Sequence, residues 1–323
     1  MKKWWHKWLM LPSELNRIGV IGLNQRNGRY LLPNNNRKFY RKVDDKLVTK
    51  TLAIEMGLAV PELYHVFDTR RSLLDLREHL EKHESFVMKP SRGSGGRGVL
   101  VIRGGRGDKF VKASGVVITA KEVENHATDI LGGLFSLGGN RDVAMVEACI
   151  TSHAELSKIS YQGAPDVRVV MLHGYPVMAM LRVASRKSDG RANLHQGAVG
   201  IGIDLATGIT THAILHGSPI TEHPDLDSNL IGVQIPGWDT LLEMATRGYE
   251  MTGLGYLGAD LIVDETRGPV VIELNARPGL AIQLANARGL RHRFEKAKAQ
   301  AIEYPKQSWS ERLEFSKSAF QQM

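Results

Sequence analysis

The segment Gly255–Gly279, GYLGADLIVDETRGPVVIELNARPG, constrains the fold of this chain more than any other. Two apolar runs of strand length flank the polar cluster Asp264–Gly268, so the segment predicts an antiparallel hairpin. Centring the turn between Thr266 and Arg267 sets Asp260 opposite Glu273. The period of two along a strand then puts Asn275 on the same face as Glu273. Two carboxylates facing each other repel unless a cation sits between them. Oxygen-only donors suit Mg²⁺, with waters and nucleotide phosphates completing an octahedron and Mn²⁺ as the alternative. The competing reading makes Asp260 and Glu273 outward-facing residues of a half-exposed sheet. However, Leu261–Ile262 and Val271–Ile272 form apolar runs without clean alternation, which predicts burial on both faces. Burying unpaired carboxylates is costly, and the balance favours Asp260, Glu273 and Asn275 as metal ligands.

A second feature is the loop Ser91–Gly98, SRGSGGRG, with four glycines in eight residues. Such a loop lets backbone N–H groups approach phosphate oxygens without obstruction by side chains. Gly93, Gly95 and Gly98 also fit the dinucleotide fingerprint G-x-G-x-x-G, but a strand follows where a helix should begin, and no Walker lysine is present. The loop instead joins the strand SFVMKP (Ser85–Pro90) to the strand GVLVI (Gly98–Ile102), as a flap over phosphates would. A protein kinase is excluded by order, because Lys89 precedes the loop and no H-R-D or D-F-G follows. The plainer alternative is a hairpin turn beside a surface lysine, yet a two-residue hairpin does not need four glycines.

The rest of the chain is organised around these features. Helices are expected over Asp44–Met56, ended by Gly57, and over about Ser72–His83. Thr119 and Glu122 form a capping box ahead of a helix reaching Leu131. VAMVEACI (Val143–Ile150) reads as a strand. Beyond it come DVRVVML and VMAMLRV around the turn His173–Pro176, then AVGIGID and ITTHAI, then a helix over about Trp238–Met251. The expectation is an α+β fold of two lobes: a short basic segment at 1–43, a lobe at 44–150 with the glycine-rich flap, a lobe at 151–290 with the metal hairpin, and a charged helical tail at 291–323.

Composition removes several function classes. The 323 residues, 42% hydrophobic and 24% charged, can bury a large core. No apolar run approaches the roughly 20 residues that span a bilayer. The opening MKKWWHKWLMLP lacks the apolar centre of a secretory signal, which predicts a cytoplasmic protein. Trp4, Trp5 and Trp8 among Lys2, Lys3 and Lys7 match an interfacial anchor for peripheral membrane contact, and equally a self-packed terminus. One cysteine, Cys149, excludes an internal disulfide and reads as a buried small hydrophobe, not a nucleophile. The 12 histidines show no zinc-ligand spacing. Net charge is +8, and residues 1–50 hold 12 Lys or Arg against three acids. With no helix-turn-helix or RNP-type aromatics, this charge points to phosphates or an acidic partner instead of nucleic acid.

In chain order, DDKL with GLAVP, FVMKPSRGSGGRGV, DVRVVML, RANLHQG and GADLI with VIELNARPG resemble the ATP-grasp carboxylate–amine ligases. The resemblance is specifically to those that add glutamate to ribosomal protein and to related α-L-glutamate ligase-like proteins, and it runs from about Asp44 to Leu284. It implies an ATP-grasp fold of two α+β lobes with ATP bound between them. By the resemblance, Lys46 and Lys89 contact nucleotide phosphates, and Ser91, Gly93, Ser94, Gly95, Gly96 and Gly98 belong to the flap. Glu147, Ala148, Cys149 and Ile150 fall in the hinge whose backbone reads adenine, and Asp166 lies on the following strand. Arg168, Arg182 and Asn193 match catalytic positions, Arg191 lies near the acceptor, and Asp260, Glu273 and Asn275 match the metal ligands.

The chain departs from this pattern in two places. Members usually carry a full α/β domain before the first lysine, whereas 45 residues precede Lys46, and Ala148 stands where a glutamate is often found. The implied activity is amide formation between a small-molecule or peptide carboxylate and an amine, with ATP and Mg²⁺, through an acyl phosphate. The alternative, a non-catalytic nucleotide-binding regulatory protein, is opposed by the complete set of lysines and metal ligands.

Overall fold

The computed structural model describes residues 12–93 and 95–321. Trp4, Trp5, Trp8 and Ser94 lie outside the described residues. Two compact units are present, one of residues 44–151 and one of the residues up to Val43 together with those from Ser152 onward.

The 44–151 unit is built on a six-stranded antiparallel sheet. Its strands are β1 (Leu63–Phe67), β2 (Phe86–Pro90), β3 (Leu100–Arg106), β4 (Lys109–Lys112), β5 (Val117–Thr119) and β6 (Ala144–Glu147), in spatial order β1-β6-β2-β3-β4-β5. Alternation along the strands separates two faces. Phe86, Met88, Ile102, Ala144 and Val146 join Val123, Ala127 and Ile130 of the helix Ala120–Leu131 in one buried cluster. That helix begins at the expected capping box, where Thr119 Oγ1 accepts from Glu122 N (3.2 Å) and the Glu122 carboxylate accepts from Thr119 N (2.7 Å). Lys89 and Glu147 alternate with the core residues of β2 and β6 and therefore lie on the opposite face. The helix Lys46–Glu55 is capped by Asp45, whose carboxylate accepts from Leu47 N and Val48 N. Two strands depart from the expected bounds: β3 starts later and runs on to Arg106, and β6 is shorter. Gly98, at φ +75, cannot be extended, so β3 starts at Leu100. β6 ends at Glu147, beyond which Ala148 N still donates to Glu62 O at 2.9 Å.

The second unit carries a seven-stranded antiparallel sheet of β7 (Asp166–Leu172), β8 (Tyr175–Val183), β9 (Val199–Ile203), β10 (Thr210–Leu215), β11 (Ser218–Ile220), β12 (Tyr256–Asp264) and β13 (Gly268–Asn275). The spatial order is β11-β10-β9-β8-β7-β12-β13. The turn between β7 and β8 is only His173–Gly174, both residues at positive φ (52 and 79), so Tyr175 and Pro176 already belong to β8. The helix Trp238–Thr252 backs one face, with Gly248 against Leu257 and Leu274. Pleating sends their neighbours Asp260 and Glu273 to the other face.

Asp260 is opposite Glu273, by a different route from simple turn counting. The turn is Glu265–Arg267, closed by the pair Asp264 and Gly268, and a regular ladder from it would set Asp260 against Ile272. A bulge in β13, between the pairs Leu261–Val271 and Asp260–Glu273, adds one residue and shifts the register.

Residues 12–43, within the short basic segment of the sequence, are tied into this unit by polar side chains. Asn35, 4% exposed, donates to the carbonyls of Tyr256 (2.8 Å) and Ala276 (3.2 Å) and accepts from Tyr256 N (2.8 Å). The C-terminal segment forms two packed helices, Arg291–Glu303 and Trp309–Phe320, in which Phe294 is fully buried.

Candidate active site

In the 44–151 unit, β2 delivers Lys89 and β6 delivers Glu147 to one face of the sheet as diagonal neighbours. Lys89 Nζ pairs with Glu147 Oε1, and Lys50 Nζ lies 2.8 Å from Glu147 Oε2. All three are buried. Burial pushes the Glu147 carboxyl up, but Lys89 and then Lys50 outweigh it and hold the group below its ordinary range. Two ammoniums thus converge on one buried carboxylate, and cationic groups of this kind suit a phosphate. The sequence reading missed Lys50. No spacing announced it, because its approach to Glu147 depends on how the helix Lys46–Glu55 packs. Lys46 is half-buried and reaches elsewhere, its Nζ donating to Gly93 O at 2.5 Å.

The root of the glycine loop is anchored from both sides. Ser91, 1% exposed, donates its hydroxyl to Asp45, and Arg92 Nε lies 3.2 Å from Asp45 Oδ2. Arg92 N donates to Asp142 Oδ2 at 2.9 Å, as does Ser136 Oγ at 2.5 Å. Ser91 was expected among the nucleotide contacts. It is buried because its hydroxyl ties the loop root to the cap of the helix Lys46–Glu55. Gly93 is also confined, since a Cβ there would lie 2.4 Å from Pro90 Cγ. Gly95 and Gly96 are exposed, at φ +64 and +74, with open space where a Cβ would stand. At Gly98 a Cβ would come within 2.5 Å of the Phe135 ring. Gly98→Ala should therefore cost roughly 1–3 kcal/mol from the left-handed backbone and displacement of Phe135. An unchanged denaturation midpoint for that variant would contradict this account of the loop.

The hinge residues differ from the expectation in one respect. The Ala148 N–H is already used by Glu62 O, so the backbone there does not offer this donor to adenine. Cys149 Sγ donates to Ile102 O at 3.4 Å, and burial pushes its thiol up, as befits an inert side chain. Ile150 O accepts from Arg103 at 3.5 Å.

On the second unit, cross-strand pairing sets Arg168 beside Asp260 and Asp166 beside Arg182 on one face. Arg168 donates to Asp260 through Nε (2.7 Å to Oδ1) and Nη2 (2.5 Å to Oδ2). Arg182 pairs with both Asp166 oxygens, and its Nη2 lies 3.0 Å from Asp260 Oδ2. Burial pushes the Asp260 carboxyl up, but Arg168 and Arg182 prevail and hold it near 2, while burial and the Asp260 charge push Asp166 up to about 6 against Arg182. Arg182 is pushed upward because its two carboxylates outweigh burial. Asn193 does not join this network. Its Oδ1 accepts from His195 N at 3.0 Å and caps the turn Leu194–Gln196, and Arg191 is exposed.

The sequence argument for a metal took Asp260 as unpaired. It is not, because two guanidiniums supply its counter-charge. What remains is the donor set: two carboxylates opposed on one face, with Asn275 Nδ2 3.3 Å from Asp260 Oδ2. Among the described residues no three His, Cys, Asp or Glu group to hold a metal ion. Hard oxygen donors this few fit Mg²⁺ shared with phosphates, not an all-protein cage.

The chain belongs to the sugar-transfer associated ATP-grasp family, whose model matches residues 25–299. The expected ATP-grasp fold stands on this match; the ribosomal-protein glutamate ligases are not the family matched. No curated protein matches the sequence. Among solved structures the chain is similar to the ATP-grasp ligase PsnB complexed with a minimal precursor, at 15% identity over 83% of this chain and 63% of that one, with TM-score 0.45. It is also similar to the D-cycloserine synthetase DcsG (14% identity, 83% and 73% covered, TM-score 0.47). A third is D-alanyl-alanine synthetase A from Vibrio cholerae (11% identity, 88% and 67% covered, TM-score 0.46). The chain thus spans 63% of the length of PsnB. Among the described residues no helix is long and apolar enough to cross a membrane.

Proposed function

We propose that this chain is an ATP-dependent carboxylate–amine ligase that forms an amide through an acyl phosphate. The observation that carries the reading is the checkerboard Asp166–Arg182 and Arg168–Asp260 with Glu273 opposite Asp260, which pairs oxygen donors with guanidiniums on one face. A carboxylate is a poor acylating agent. Transfer of the γ-phosphoryl group to its oxygen releases ADP and gives an acyl phosphate, from which an amine displaces phosphate.

Lys50, Lys89, Lys46 and the loop amides serve the nucleotide phosphates, and Arg168 and Arg182 neutralise charge that develops on the transferred group. Asp260, Glu273 and Asn275 would hold Mg²⁺, or Mn²⁺, which when bound neutralises phosphate oxygens. L-Glutamate is the first amine to test, on the resemblance of the motifs. The family's association with sugar transfer adds sugar acids to the panel of carboxylates.

With a competent acid, ATP should yield ADP and phosphate, hydroxylamine should trap a hydroxamate, and ¹⁸O from the acid should appear in phosphate. Formation of AMP, or amide formation without ¹⁸O transfer, would sink the mechanism. ATP binding without turnover across the panel would favour a regulatory nucleotide-binding role.

A further inference from the structure

Residues 26–40 do more than fill the edge of the second unit. With Arg277, two positions after Asn275, they line an open pocket of about 510 Å³, a volume suited to a small ligand, in which Arg37 and Arg277 are exposed. Its lining includes Arg26, Leu31, Leu32, Arg37, Tyr40 and Arg277, three guanidiniums and no carboxylate. Arg26 is 9% exposed, yet its partners are neutral: Nη1 donates to Pro278 O (3.1 Å), and Nε and Nη2 donate to Asn27 Oδ1 (3.0 and 2.8 Å). Among the described residues, no carboxylate pairs with Arg26, Arg37 or Arg277. A buried guanidinium without a counter-ion is costly, and an anionic ligand relieves that cost.

The pocket is held in place by local structure. Arg26–Leu31 forms a single π-helical turn, a conformation frequent at functional sites. Asn35 binds the carbonyls of Tyr256 and Ala276 and so registers the segment against the end of the β12–β13 hairpin. Arg277 lies over the Tyr40 ring, its Cζ 4.7 Å from the centroid.

We propose that this pocket is an oxyanion subsite that receives a carboxylate or phosphate group of the acidic substrate. Its designation as a substrate subsite rests on the ligase reading, whereas anion binding itself does not.

Phenylglyoxal labelling of the full chain, read at each arginine by peptide mass spectrometry, tests the proposal. Inorganic phosphate and D-glucuronate are the probes, each compared with chloride at equal ionic strength. At least one should slow labelling of Arg37 and Arg277 by about tenfold, the scale of one charge-assisted contact. The exposed Arg70 and Arg71 should label as in chloride. Protection by phosphate alone assigns a phosphate ester, and protection by glucuronate alone assigns a carboxylate. In Arg277→Gln the anion's protection of Arg37 should largely disappear. Protection no greater than chloride's from either anion overturns the subsite, as does full protection of Arg37 in Arg277→Gln. Protection in a chain that never forms ADP supports the anion site and removes the ligase reading.

Discussion

Replacing Glu147 with Gln is expected to destabilise the protein by about 3–5 kcal/mol, because it removes the buried carboxylate on which two ammoniums converge. Glu147 is 3% exposed, and Lys50 and Lys89 are 5% and 8% exposed, so water does little to replace the lost carboxylate. The pH dependence should carry the same signature. The folded pKa of Glu147 is depressed below its ordinary 4.5, so its stabilisation is present above that value and is lost as pH falls through the lower folded value. Denaturation midpoints followed by circular dichroism should show wild type losing stability on acidification and Glu147→Gln losing less over the same interval. A loss under about 1 kcal/mol at neutral pH would mean that the triad is not energetically coupled.

Asp260→Asn should lower ADP formation by about a hundredfold or more, the scale seen when a charge aligned with the reacting group is removed. Asp260 also neutralises Arg168 and Arg182, so this variant should lose stability, by about 3 kcal/mol. Glu273→Gln separates the two effects. Its turnover should fall comparably, while its denaturation midpoint should stay nearer that of wild type, because Glu273 is half-buried whereas Asp260 is buried between two guanidiniums. Turnover like wild type in either purified variant would remove the metal-ligand assignment.

Much of the scaffold was legible in local patterns, which is where elementary rules act. Thr119 and Glu122 announce a helix start because the partners of a capping box are only three positions apart. Gly98 and its neighbours announce a loop because positive φ is strained for other residues. The hairpin announces itself through its two apolar runs, and the facing pair Asp260 and Glu273 followed from counting, although the count succeeded only because a bulge in β13 offset a shorter turn.

The partners of those residues were not legible, because each partnership crosses long stretches of chain. Lys89 and Glu147 were both singled out from the sequence, but their joining with Lys50 depends on where a helix packs, not on spacing. Asp260 looked like an unpaired carboxylate in need of a metal until β7 and β8 brought Arg168 and Arg182 beside it. Residues 26–40 looked like part of a short basic segment, and only the docking of Asn35 onto Tyr256 and Ala276 makes them the wall of an arginine-lined pocket. Periodicity and capping are properties of neighbouring residues and are written in the sequence, so it determined the elements, the flap and the chemistry-bearing side chains. Charge compensation depends on distances between remote residues, so the tertiary structure alone decided which of those side chains neutralise one another and where positive charge is left for a ligand to meet.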